Sequence, residues 1–213
     1  MNDLCTDVGH ISINKNGEQL CGDHVEVVNP SENSTIVVLA DGLGSGVKAN
    51  ILAMLTSKII STMMANDLPV EDCVSTIAAT LPICKVRNVA YSTFTIIRII
   101  DNEEAEIIQY DNPHVIMLRD GKNYDYPMIS ETIDNKEDDT FVAISDGAIH
   151  AGVGLTLNFG WLREDIIEFL ETMYCSDFTA KTISSMLVNE CYSLYGGEPG
   201  DDTTACTVKV RKR

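Results

Sequence analysis

Hydrophobic and polar positions change period several times along this chain, and each change predicts an element. From Thr6 to Asn14 the two alternate, with Val8, Ile11 and Ile13 among the apolar positions, which predicts a strand before the Asn16-Gly17 turn. Cys21-Gly22-Asp23-His24 leads into a short second strand, Val25 to Val28, followed by a polar loop around Pro30. Thr35 to Ala40 is β-branched or apolar at nearly every position, as a buried strand should be, and it ends on Asp41 and the turn Gly42-Leu43-Gly44-Ser45-Gly46. Ser45 is placed to cap a helix running to about Met64. Val47, Ile51, Leu55, Ile59 and Met63 recur every four residues, which predicts that this stripe faces the core. Asp67 to Asp72, with Pro69 near the first turn, opens a second helix through Ala79, closed by Leu81-Pro82.

The middle of the chain reads as β-structure. Tyr91 to Ile100, Ala105 to Tyr110, Val115 to Arg119 and Lys122 to Tyr126 are separated by Asp101-Asn102, Asn112-Pro113 and Asp120-Gly121, which predicts an antiparallel meander. After a charged loop, Asn135 to Asp139, a second apolar strand from Thr140 ends in Ser145-Asp146-Gly147. Ala151 to Gly160 is glycine-rich and predicts a flexible flap. Two amphipathic helices, Trp161 to Tyr174 and Phe178 to Tyr195, a Gly/Asp loop and a last strand, Thr203 to Val210, complete the pattern. Neither a linker nor a repeat divides it, so one domain is expected over residues 1–213.

Charge narrows the range of partners. The 213 residues carry 32 acids against 15 Lys and Arg, a net −17, which argues against nucleic acid or an anionic membrane as the main partner. Seven cysteines, an odd number with no C-x-x-C spacing, indicate neither a disulfide framework nor a zinc ribbon and point to a reducing, cytoplasmic setting. The N-terminus shows no signal-peptide pattern, and no apolar run approaches the ~20 residues that span a bilayer.

Four acids stand beside glycine at strand ends: Asp23, Asp41, Asp146 and Asp201. Asp-Gly is also ordinary turn chemistry, and Asp120-Gly121 is read as no more than that. If the central strands lie side by side, the four carboxylates converge at one sheet edge. Clustered carboxylates raise each other's pKa unless cations compensate. Oxygen-only ligands suit Mg²⁺ or Mn²⁺, and glycine beside a ligand lets the Gly42 carbonyl approach a metal as well.

The order of these motifs carries a resemblance. Gly22-Asp23, Asp41-Gly42-Leu43-Gly44-Ser45-Gly46, Asn112-Pro113-His114, Ser145-Asp146-Gly147 and Gly200-Asp201-Asp202-Thr203-Thr204 resemble the SpoIIE-type branch of the metal-dependent protein phosphatases, relatives of protein phosphatase 2C, from about residue 6 to 210. The resemblance implies an α+β fold, a four-layer αββα sandwich of two antiparallel sheets flanked by helix pairs. It implies a serine/threonine phosphatase acting on a phosphorylated bacterial signalling protein. Asp41, Asp146 and Asp201 would be the catalytic metal ligands, Gly42 a backbone ligand and Asp23 a ligand or water-holding acid, around two Mn²⁺ or Mg²⁺ ions. Asp202 falls at the variable second position of the last motif. In such centres two cations about 4 Å apart share a hydroxide that attacks phosphorus in line, with no protein nucleophile.

The departures matter as much. His114 lies where relatives often carry an Asn-Ala-Gly-His-Pro element, and His150 replaces what is commonly an acid. His24, His114 and His150 are candidate general acids, each competing with an ordinary structural role. No arginine lies near Asp23, so phosphate affinity would rest on the metals, and recognition on a protein partner's surface. With no fused sensor segment, regulation is expected from a partner or through a homodimer, using the first long helix or the two that follow the flap. Two rivals remain: a non-catalytic scaffold or switch of the same fold, and a nucleotide-binding protein suggested by Gly42-x-Gly44, although Val47 occupies the third glycine position of a dinucleotide fingerprint.

Overall fold

A computed structural model describes residues 3–81, 92–126 and 132–213. Its strands are β1 (Leu4–Ile13), β2 (Asp23–Ser31), β3 (Ser34–Gly42), β4 (Ser92–Ile100), β5 (Glu104–Tyr110), β6 (Ile116–Arg119), β7 (Lys122–Asn123), β8 (Ile133–Asp134), β9 (Thr140–Ile144) and β10 (Thr203–Lys212). The helices are α1 (Gly46–Met64), α2 (Val70–Thr80), α3 (Asp146–His150), α4 (Arg163–Met173) and α5 (Ala180–Leu194). Cys84, Pro82 and the start of the run expected from Tyr91 lie outside the described residues.

The strands form two five-stranded sheets, in the orders β1-β10-β9-β6-β7 and β2-β3-β4-β5-β8, with antiparallel pairing throughout. Their facing surfaces enclose a core of Val37, Leu39, Ile97, Ile99, Met117, Phe141, Ala143, Cys206 and Val208. Because side chains alternate along a strand, the opposite faces carry Ile36, Val38, Ala40 and Ile96 toward α1 and α2, and Ile116, Val142, Ile144 and Ala205 toward α4 and α5. This is the expected four-layer αββα sandwich. β3 and β9 are apolar at consecutive positions because each is buried on both faces. The chain after α1 and α2 returns as β4, antiparallel to β3. There is thus no βαβ unit here to support a dinucleotide-type reading of the glycine turn.

Three expectations change. The meander is split: β4 and β5 pair in one sheet, whereas β6 leaves to pair with β7 and β9 in the other. Lys122 to Tyr126 forms only the two-residue β7. The stripe on α1 is partly inverted, since Val47, Ile51 and Leu55 are exposed (60%, 45% and 41%). The buried face is instead Ala49, Leu52, Ala53, Thr56, Ser57, Ile60, Ser61 and Met64. Small residues there let the helix lie close on β2 and β3. A Cβ on Gly42 would stand 2.1 Å from the Ala49 carbonyl oxygen, so glycine at the end of β3 is demanded by helix packing.

Candidate metal centre

Antiparallel pairing explains how four acids distant in sequence meet. β2 begins at Asp23 and β3 ends at Asp41–Gly42, and the register sets Asp23 directly opposite Asp41. In the other sheet, β9 runs into Ser145-Asp146 and β10 starts after Asp201-Asp202, with Ala205 opposite Ile144. Ser145 N–H donates to the Thr204 carbonyl at 3.0 Å, and Thr204 N–H donates to Ser145 Oγ at 2.9 Å, fixing that end of the pair. Each sheet thus supplies two acids, and both pairs lie at the same end of the sandwich. The acids do not line one sheet edge, as expected from side-by-side strands. They face each other across the gap between sheets.

Gly147 is as constrained as Gly42. A Cβ there would lie 2.0 Å from the Asp202 carbonyl oxygen, where the chain passes on its way into β10. Both Asp-Gly pairs combine a ligand-type side chain with a close backbone crossing, which is why a turn residue recurs there.

A cleft of about 450 Å³ opens on the acids, lined by Lys15, Asp41, Gly42, Leu43, Ser92, Thr93, Asp111, Asp146, Asp201 and Asp202, among others. Asp23 sits beneath it, only 4% exposed, and neither carboxylate oxygen has a hydrogen-bond partner. Burial drives its pKa up to about 7. The Ser145 and Thr204 hydroxyls lie close enough to oppose that rise without completing a hydrogen bond to Asp23, and the charges of Asp202 and Asp146 add to it. Asp41 is pushed higher, to about 9, by burial, by the charges of Asp23 and Asp146, and by a hydrogen bond with Asp146 that only a protonated carboxyl completes. Asp201 and Asp202 are also raised, burial being the first cause for each. Buried carboxylates without partners are costly unless charge compensates. These orphaned oxygens and raised acids fit a bound divalent cation, and the donor set is of the hard kind that Mg²⁺ and Mn²⁺ accept.

Asp202 has its own work. It accepts from Lys15 N–H at 3.0 Å and holds the β1–β2 connection, although its other oxygen is unpartnered. Of the three candidate histidines, His24 pairs with Ser57 on α1 at 2.9 Å, and His114 lies beside Gln109 at 3.4 Å. Neither lines the cleft. His150 does join the acids: a ring nitrogen and one oxygen each from Asp146 and Asp201 lie within 4.8 Å of one another. Cys21, beside the site, is no nucleophile, since burial and the Asp23 charge push its thiol up to about 12.

Two cleft residues escaped the sequence reading. Lys15, 3.9 Å from Asp201, puts a cation in the cleft although no arginine lies near Asp23 in the sequence. Asp111, with φ of +58°, brings one more acid to the rim from the altered loop before His114. Neither stands in a strand-end Asp-Gly motif, and only tertiary packing brings them to the cleft.

Comparison with known proteins bears on the fold that carries this cleft. Residues 31–131, just under half of the chain, match the family described as Stage II sporulation protein E (SpoIIE). No curated protein matches the sequence significantly. Among solved structures, a PP2C phosphatase domain of SpoIIE from Bacillus subtilis, with a fragment of its regulatory domain, superposes with a TM-score of 0.79 at 16% identity. It covers 99% of this chain, which spans 65% of that one. RsbX in complex with magnesium gives 0.67 at 19% identity, covering 99% of this chain and 97% of that one. The catalytic domain of the serine/threonine phosphatase PstP with two manganese ions gives 0.64 at 15% identity, covering 98% and 100%. The fold is the PP2C-type phosphatase fold.

Proposed function

We propose that this PP2C-fold chain, with its SpoIIE-type segment, is a metal-dependent serine/threonine protein phosphatase. The observation that carries the reading is the convergence of Asp23, Asp41, Asp146 and Asp201 from both sheets beneath one cleft, with Asp23 buried and unpartnered. Asp41, Asp146, Asp201 and the Gly42 carbonyl would hold two Mn²⁺ or Mg²⁺ ions, with Asp23 behind them. When bound, such ions lower the pKa of water and neutralise charge on a phosphoryl group. The chain's own residues supply the rest. The carboxylates fix where the cations sit. Lys15 offers a positive charge to a phosphoester oxygen entering the cleft, in exchange for its long contact with Asp201.

The phosphoprotein substrate is supported by the cleft's character. Five acids and one lysine line it, which disfavours free anionic metabolites, and the glycine turn at its rim exposes Leu43 and leads into the exposed Val47 of α1. Such apolar residues suit a protein surface presenting a phosphoserine or phosphothreonine. Regulation by a partner or a second copy belongs to the same reading, with the exposed Val47, Ile51, Met54 and Leu55 of α1 as its surface. Residues 1–213 act in it as one catalytic unit.

The test is phosphate release from phosphoserine and phosphothreonine peptides with Mn²⁺, Mg²⁺ or EDTA. Release should require a divalent ion and fall ~100-fold or more in Asp146→Asn. Hydrolysis that persists in EDTA, or survives Asp146→Asn, contradicts the proposal.

A further inference from the structure

His150 is out of keeping with an all-oxygen centre. It lies four residues after Asp146 on α3, so the two side chains project from one helical face. Asp201, from the loop before β10, completes the group, with one donor atom from each of the three within 4.8 Å of the others. His150 also stands close enough to Asp201 for its charge to bear on that carboxyl. Asp23, 4% exposed and with no hydrogen bond to either oxygen, is near enough for its charge to interact with Asp202 and Asp146. An imidazole and two carboxylates converging on one point, with a buried, unpaired carboxylate next to one of them, mark a cation position on this side of the cleft.

We propose that His150 is a direct nitrogen ligand to one of the centre's two ions, and that it makes this chain select Mn²⁺ over Mg²⁺. This rests on the phosphatase reading for the existence of the centre, but it concerns which ion is held. Mg²⁺ demands near-ideal octahedral oxygen coordination and sheds water reluctantly. Imidazole is a softer donor that suits first-row transition ions. Asp146, Asp201 and His150 therefore form a mixed set in which the nitrogen adds affinity for Mn²⁺ and little for Mg²⁺. The neighbouring set around Asp41 and the Gly42 carbonyl offers oxygen alone.

Pulsed EPR of the Mn²⁺-loaded full chain tests the proposal, with Mg²⁺ competition followed by release of the free-Mn²⁺ signal. The wild type should show modulation from a directly bound ¹⁴N, and His150→Ala should lose it. In His150→Asp, which restores an oxygen donor, Mg²⁺ should displace Mn²⁺ at roughly tenfold lower concentration than in the wild type. A wild-type spectrum without ¹⁴N coupling, or competition curves unchanged in His150→Asp, overturns the proposal. Mn²⁺ bound in an Asp41-dependent manner without nitrogen coupling removes only this inference. If no Mn²⁺ binds at all, the phosphatase reading fails with it.

Discussion

Asp23 is the residue whose position is hardest to explain without a cation. A buried carboxylate with no partner destabilises the fold wherever it is ionised. Its folded value near 7, and that of Asp41 near 9, lie above the ordinary value of about 4 that each would have in the unfolded chain. The folded protein therefore binds these protons more tightly than the unfolded one. Stability contributed by the neutral acids is fully present below about pH 4 and is lost as pH rises through 7 toward 9. EDTA-stripped protein should accordingly melt lower at pH 8 than at pH 5.5, and saturating Mn²⁺ should flatten or reverse that slope. A stripped protein equally stable at both values would contradict the arrangement. Asp23→Asn removes the buried charge, so it should raise the melting temperature of stripped protein at pH 8 by about 2–4 °C. It should also reduce the additional gain that Mn²⁺ gives the wild type.

At the scale of elements, the two apolar strands ending in Asp-Gly were readable because both signals are local: a run buried on both faces, then a turn. What periodicity could not supply was the sheet to which each strand belongs. β6 looked like the third strand of a meander, yet it crosses to the other sheet, because Met117 faces the inter-sheet core while Ile116 and Leu118 face α4 and α5. α1 misled for another reason. A helix lying close to a sheet packs through small side chains, so Ala49, Ala53, Ser57 and Ser61 are the buried ones and the larger Val47 and Ile51 face outward. This predicts an asymmetry unlike that of the hydrophobic stripe. Leu52→Ala should cost about 2–5 kcal/mol in chemical denaturation, whereas Val47→Ala should stay within about 0.5 kcal/mol. Gly42→Ala should cost about 1–3 kcal/mol, because the new methyl must push against the Ala49 carbonyl. Equal losses for Leu52→Ala and Val47→Ala would return the stripe to the core.

Across the molecule, the sandwich brings two strand pairs to one end, and like charges concentrate there. The described structure balances other buried charges locally: Asp139, fully buried, is held by Arg119 at 2.6 Å. Lys209, fully buried on β10, reaches Asp138 at 3.1 Å and the Ser176 carbonyl at 2.6 Å. The acids beneath the cleft have no such close ion pair: Lys15 stands 3.9 Å from Asp201, and His150 beside Asp146 and Asp201. That contrast separates a stabilising network from a site kept for a ligand, and the sequence could not draw it, because Lys15 reaches the cleft only through the fold. Ligand binding to the folded state alone should then stabilise the whole chain. Mn²⁺ at 100 times its dissociation constant adds about 2.7 kcal/mol. In a chain of this size that corresponds to a melting temperature roughly 5–10 °C higher than in EDTA.

The claim that these acids form a two-cation centre can be tested without knowing the substrate. Equilibrium dialysis against Mn²⁺, with metal analysis of the protein chamber, counts bound ions for the wild type and for Asp41→Asn. Two ions per wild-type chain, with at least one lost in the variant, is the predicted result. A wild type that retains no Mn²⁺, or an Asp41→Asn protein that retains as much as the wild type, would contradict the account.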